Sequence, residues 1–166
     1  MIIKGEVFKF GDNINTDFII SGRYKFSITD MKKLSQYLFE DIRPGFYDQL
    51  KPGESIIVAG NNFGMGSSRE QAPLVIKQAG ILCVIAKSFA RIFYRNAFNI
   101  GLALVEANTH NIEENDYLEV MFKKGIIKNT RKSKEIKFHA WNQFQMKLIE
   151  KNGIINYLDE YGDFCI

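Results

Sequence analysis

The stretch Gly60-Asn61-Asn62-Phe63-Gly64-Met65-Gly66-Ser67-Ser68-Arg69-Glu70-Gln71-Ala72-Pro73 constrains this chain more than any other. Its glycines admit backbone angles that side chains disfavour, so the segment can turn tightly and bring main-chain groups close to a ligand. Ile56-Ile57-Val58-Ala59 before it reads as a short buried strand, and Leu74-Val75-Ile76-Lys77-Gln78-Ala79, closed by Gly80, reads as a helix. This junction puts two serine hydroxyls and the planar fork of Arg69 where a helix is expected to begin. The first amides of a helix have no intrahelical partner, and the aligned peptide dipoles place partial positive charge beside them. A carboxylate or phosphate fits such a place, because Ser67 and Ser68 donate or accept hydrogen bonds and Arg69 offers paired donors. The same residues also allow a plain turn with a serine cap and a solvated arginine. A nucleotide-phosphate loop fits poorly, since no Gly-Lys-Ser/Thr comes after it at the required spacing and the third glycine of a dinucleotide fingerprint is missing.

Around this loop the pattern is that of one α/β domain spanning residues 1–166. Residues 2–10 read as a strand and 11–29 as a long turn-rich segment, a length that is usually functional or mobile. Asp30 caps an expected helix through Leu38, with Met31, Leu34, Tyr37 and Leu38 at helical spacing. Pro44-Gly45 breaks the segment after that helix, and Lys51-Pro52-Gly53 turns the chain toward the strand before the serine loop. Ile81 to Ala86 is apolar throughout, as in a strand buried on both faces. A helix from Phe89 to Asn99 comes next, so strand, helix, strand and helix alternate as in a parallel sheet. Leu102–Glu106, Tyr117–Phe122 and Glu135–Phe138 read as further strands, and Met146–Leu158 as a last helix broken near Gly153.

Composition removes several classes of function. Twenty-two Lys and Arg against 19 Asp and Glu leave a net charge of only +3. The basic run from Lys123 to Lys137 is interrupted by Gly125, Ile126 and Ile127 and reads as a solvated hairpin rather than a nucleic-acid face. No apolar stretch approaches the roughly 20 residues that cross a bilayer. The opening Met1-Ile2-Ile3-Lys4-Gly5-Glu6 reads as a strand and not as a signal peptide, which makes a cytoplasmic protein the expectation. Cys83 and Cys165 are too few and too far apart for a disulfide framework or a metal site, and His110 and His139 are isolated. An iron-sulfur cluster needs three or four thiolates, so this chain is not expected to hold one.

Three blocks carry a family resemblance. Gly66-Ser67-Ser68-Arg69-Glu70 followed by Ala72-Pro73 resembles the signature of the swivelling domain of the aconitase superfamily. Ala86-Lys87-Ser88-Phe89-Ala90-Arg91-Ile92-Phe93-Tyr94-Arg95-Asn96-Ala97, with Asn99-Ile100-Gly101-Leu102, is similar to the next segment of that domain. Asp12-Asn13-Ile14-Asn15-Thr16-Asp17-Phe18-Ile19-Ile20, with Arg23-Tyr24, resembles the start of isopropylmalate dehydratase small subunits. The resemblance implies a swivelling β/β/α barrel and a hydro-lyase of leucine biosynthesis, active only as a heterodimer with a large subunit that carries a 4Fe-4S cluster. It assigns the catalytic base to Ser67 and a substrate carboxylate to Ser68 and Arg69, with Gly64 and Gly66 shaping the anion loop. It directs Tyr24, Lys25 and Phe26 at the variable group of the substrate. Relatives that handle a third carboxylate place an arginine where this chain has Phe26, and an apolar ring favours a branched alkyl group. Isopropylmalate is therefore expected over homocitrate or citrate, with dimethylmalate and homoaconitate as alternatives. Lys25, Met65 and Gln71 depart from the isopropylmalate pattern. Lys87, Ser88, Arg91 and Arg95 fit either a solvated, capped helix start or the mouth of the site. A carboxylate- or phosphate-binding module without chemistry is the rival reading.

Overall fold

The structure, a computed structural model, describes residues 1–162; Cys165 lies outside them. Its frame is one mixed sheet of seven strands. These are β1 (Ile2–Lys9), β2 (Ser55–Val58), β3 (Ile81–Ala86), β4 (Ala103–Glu106), β5 (Tyr117–Met121), β6 (Ile126–Asn129) and β7 (Lys134–Lys137), in the spatial order β4-β3-β2-β1-β5-β6-β7. The strand β1 divides the sheet. On one side β1, β2, β3 and β4 run parallel, with Val7 opposite Ile56, Ile57 opposite Val84 and Val84 opposite Leu104. On the other, β1, β5, β6 and β7 are antiparallel, with Ile3 opposite Val120 and Val120 opposite Ile127. A bridge between Ala107 and Phe138, each just past an outermost strand, brings the two edges together and curls the sheet into a half-barrel.

The parallel half is apolar because it is covered. All four residues of β2 are buried, as are five of the six in β3. Parallel neighbours require long crossovers, and these are the helices α5 (Gln71–Gln78) between β2 and β3 and α6 (Arg91–Asn99) between β3 and β4. The crossover from β1 to β2 carries four short helices: α1 (Thr16–Ile19), α2 (Gly22–Lys25), α3 (Met31–Ser35) and α4 (Phe46–Gln49). Two more, α7 (Gln143–Glu150) and α8 (Ile154–Tyr161), close the described chain and are separated at Asn152-Gly153, as the sequence predicts. The basic stretch is likewise the hairpin expected, with β6 and β7 as its arms.

The helix expected over residues 31–38 stops at Ser35. Phe39 turns into the left-handed region at φ 57° and gives its N–H to the Ile19 carbonyl, 3.0 Å away. In return its ring is fully buried, stacked 4.2 Å from Phe10 and edge-on to Phe46 at 5.4 Å. Burying an aromatic ring outweighs the one or two helical hydrogen bonds forgone.

The turn from Glu113 to Asp116 is held by a buried carboxylate. Asp116, only 4% exposed, accepts from the Glu113 N–H at 2.8 Å, the Asn129 amide at 2.7 Å and the Lys132 ammonium at 3.0 Å. Burial alone would raise its pKa, but these donors outweigh it and hold the carboxyl below its ordinary value. A carboxyl depressed in the fold contributes stability that is complete above the unfolded value of about 3.9 and is lost as pH falls through the folded value. The urea midpoint should therefore fall as pH drops from about 5 toward 2. Asp116→Asn should be less stable at pH 7 and should flatten the dependence in that interval, as equilibrium unfolding at several pH values would show.

Candidate functional site

Because β1, β2 and β3 are parallel, the segments that leave their carboxyl ends emerge on the same rim, where open α/β sheets place their ligand sites. Here the three segments are bonded to one another. The Gly60 N–H meets the Gly11 carbonyl at 3.1 Å, the Asn13 N–H meets Asn61 O at 2.8 Å and the Gly64 N–H meets Ile14 O at 2.7 Å. From the third segment, Ser88 O accepts the Phe63 N–H at 3.0 Å, and the Ala90 N–H returns to Phe63 O at 2.9 Å. Side chains reinforce the seam. The Asp12 carboxylate accepts from the Asn61 backbone and amide, which hold its pKa below the ordinary value, and the Ser88 hydroxyl accepts the Asn62 N–H at 2.8 Å.

The end of the serine loop is fixed from the first segment. Asn15 and Met65 pair as a parallel bridge, the Thr16 N–H reaches Met65 O at 2.8 Å, and the buried Thr16 hydroxyl donates to Ser67 O at 3.0 Å. Two glycines make this approach possible. Gly64 has φ 79° and Gly66 φ 92°. A Cβ on Gly64 would strike the Phe93 ring, and one on Gly66 would lie 2.5 Å from Asn15 Oδ1.

The result is an open cavity of about 310 Å³ lined by Gly64, Gly66, Ser67, Ser68 and Arg69 from the serine loop and by Thr16 from α1. Its opposite wall is the start of α6, with Arg91, Ile92 and Asn96. That volume is at the lower end for a small-molecule site. The Ser67 and Ser68 hydroxyls make no hydrogen bond to protein among the described residues and are exposed. The Arg69 side chain, only 15% exposed, pairs with Asp17 and donates to Ile20 O at 3.4 Å.

One expectation is corrected. The serines are not at a helix start: α5 begins at Gln71, after Glu70. Pro73 is the reason. As third residue of the helix its missing N–H is one of those with no intrahelical partner, whereas a helix begun at Ser68 would bury a proline in its interior. The helix start that faces the cavity is that of α6. Ala90 precedes it and offers no side-chain cap, so its first amides are left to solvent or to a ligand.

The structure gathers Gly64, Gly66, Ser67, Ser68 and Arg69, but not all the expected residues. Tyr24 is half-buried and stacked 4.1 Å from Tyr37, with the Arg23 guanidinium 4.6 Å from its ring as a cation–π neighbour. Lys25 lies 5.5 Å from the Phe26 ring, and Phe26 is 82% exposed. None of the three lines the cavity, although their segment is tied to it through Ile20 and Arg69. Of the four residues left open in the second block, Ser88 binds the loop and Arg91 lines the cavity, whereas Lys87 and Arg95 are exposed elsewhere. Thr16, Asp17 and Asn96 join the site without having been singled out by their sequence pattern. For Asn96 the available signal was its position four residues after Ile92 on one helix face.

Among the described residues no three His, Cys, Asp or Glu side chains converge on a metal position, and Cys83 is fully buried, its thiol pushed up to about 12. No helix is long and apolar enough to cross a membrane. The tight approach at Gly64 gives a direct check. Gly64→Ala should lower unfolding free energy by about 2 kcal/mol or more, combining left-handed strain with displacement of Phe93, as urea denaturation would measure.

Comparison with known proteins agrees with this architecture. The aconitase C-terminal domain family matches residues 31–110. The 3-isopropylmalate dehydratase small subunit of Clostridium beijerinckii is 51% identical over 160 residues, covering 95% of this chain and 98% of the relative. Small subunit 2 of Archaeoglobus fulgidus is 46% identical over 166 residues, the full length of both. A crystal structure of 3-isopropylmalate dehydratase from a Methanocaldococcus superposes with TM-score 0.91 at 46% identity, over 98% of this chain and 96% of that one. The chain belongs to the family of 3-isopropylmalate dehydratase small subunits.

Proposed function

We propose that this chain supplies the base and the carboxylate clamp of an enzyme that interconverts 2-isopropylmalate and 3-isopropylmalate by dehydration and rehydration. The observation that carries this reading is the convergence of Ser67, Ser68 and Arg69 on one open cavity against the uncapped start of α6. Dehydration removes a proton from the carbon next to a carboxylate and hydroxide from its neighbour; rehydration returns the two in exchanged positions. The proton is weakly acidic, so the site needs a strong base and fixed positive groups facing the charge that develops. Ser67 takes the proton as an alkoxide. Its hydroxyl is free of protein partners among the described residues, and Arg69 and the α6 amides supply the positive environment that favours ionisation. Ser68 and Arg69 hold a substrate carboxylate.

Loss of hydroxide calls for a Lewis acid, which the 4Fe-4S cluster of a large subunit supplies. The sequence has only two cysteines where such a cluster takes three or four thiolates, and among the described residues no three potential ligands converge, which supports a cluster held by the partner. The exposure of Ser67 and Ser68 accords with a site that a second chain must cover, because an alkoxide base requires water to be excluded. A soluble heterodimer in the cytoplasm, acting in leucine biosynthesis, follows from this reading, with residues 1–166 as a single domain.

Reconstitution with the large subunit under anaerobic conditions tests the proposal. Ser67→Ala should retain fold and subunit association while turnover falls at least about 100-fold, the usual cost of losing a general base; near wild-type turnover would remove Ser67 from that role. Phe26 concerns substrate choice. On closure its exposed ring meets the alkyl group, so Phe26→Arg should shift the kcat/KM ratio of isopropylmalate to homoaconitate by about tenfold or more toward the tricarboxylate. An unmoved ratio would place the loop away from substrate.

A further inference from the structure

The Arg69 side chain is only 15% exposed, whereas Ser67 and Ser68 are open to solvent, and its geometry is set from outside the serine loop. Both of its protein contacts use one nitrogen. Nη1 pairs with the Asp17 carboxylate and donates to the Ile20 carbonyl at 3.4 Å. An Nη1 carries two hydrogens, so these contacts occupy it, and Nε and Nη2 make no hydrogen bond among the described residues. The Nε–Nη2 edge is a planar pair of parallel donors, the geometry that grips a carboxylate with two bonds.

Asp17 is itself held in place. It is in α1, its N–H is bound at 2.9 Å by the side chain of Asn15, and the neighbouring Thr16 is the residue that bonds Ser67 O. One short segment thus fixes both the backbone of Ser67 and the plane of Arg69. We propose that Asp17 is a positioning residue: it anchors Nη1 so that the Nε–Nη2 edge of Arg69 faces the substrate carboxylate. This rests on the reading of Arg69 as carboxylate clamp.

The test is a double-mutant cycle in the reconstituted two-subunit enzyme, with kcat and KM for isopropylmalate measured alongside thermal midpoint and subunit association. Asp17→Ala should raise KM about tenfold, as expected when one charge-assisted hydrogen bond is misaimed, with a smaller change in kcat. Asp17→Asn keeps an acceptor for Nη1 and should recover most of that loss. In an Arg69→Ala background, Asp17→Ala should change KM by less than about twofold, because the group it positions is gone; Arg69→Lys is the second background should the alanine variant fold poorly. If Arg69→Ala impairs the enzyme while Asp17→Ala leaves KM unchanged, the positioning role is wrong and the clamp stands. If Asp17→Ala is equally harmful in both backgrounds, or only lowers the thermal midpoint, Asp17 is structural. If Arg69→Ala itself has no effect on KM, the clamp fails and the positioning role with it.

Discussion

The site depends on main-chain hydrogen bonding between three segments that are far apart in sequence. Gly64 N–H to Ile14 O ties the second segment to the first, and the exchange between Phe63 and the Ser88–Ala90 stretch ties it to the third. A polar loop standing alone on the rim would sample many conformations, and fixing each residue costs on the order of 1–2 kcal/mol. Here the backbone donors from Gly60 to Gly64 have partners, and ring contacts of Phe63 with Phe89 and Phe93, at 5.9 and 5.3 Å, seat the base of the loop in the core. Glycine at 64 and 66 is a consequence of this seam, since any side chain would hold the segments apart. The hydroxyls of Ser67 and Ser68 stand at the end of a segment tied to α1 through Thr16, whose N–H reaches Met65 O and whose hydroxyl reaches Ser67 O.

Much of this architecture is legible in the sequence, for identifiable reasons. Apolar β2 and β3, the turns at Gly53 and Gly80, and the break at Gly153 are written in local composition, and local composition decides them because burial and left-handed glycine are strong, short-range effects. The loop residues announce themselves through residue types that pack nowhere. The features that local pattern does not reveal depend on partners remote in the chain. The helix after Asp30 is cut short by a ring that finds Phe10 and Phe46. The helix start at the cavity is that of α6, because Pro73 displaces the start of α5 away from the serines. Asp17 is one more polar loop residue until the fold places it against Arg69.

A division of labour arises from the same geometry. The chain presents oxygen and nitrogen groups suited to a carboxylate and a carbon-bound proton, on an open face, and no convergent thiolates or histidines among the described residues. Tyr24, Lys25 and Phe26 do not line the cavity, and Phe26 is largely in solvent.

The central claim, that the stitched loop aims Ser67 at a carbon-bound proton and Arg69 at a carboxylate, is tested most directly by a crystal structure of the assembled two-subunit enzyme with isopropylmalate bound. The account predicts Ser67 Oγ about 3–3.5 Å from the carbon that loses its proton, a near-attack separation, with one substrate carboxylate on the Nε–Nη2 edge of Arg69. A substrate carboxylate held elsewhere, or a Ser67 oxygen too distant to reach that carbon without rebuilding the loop, would contradict it.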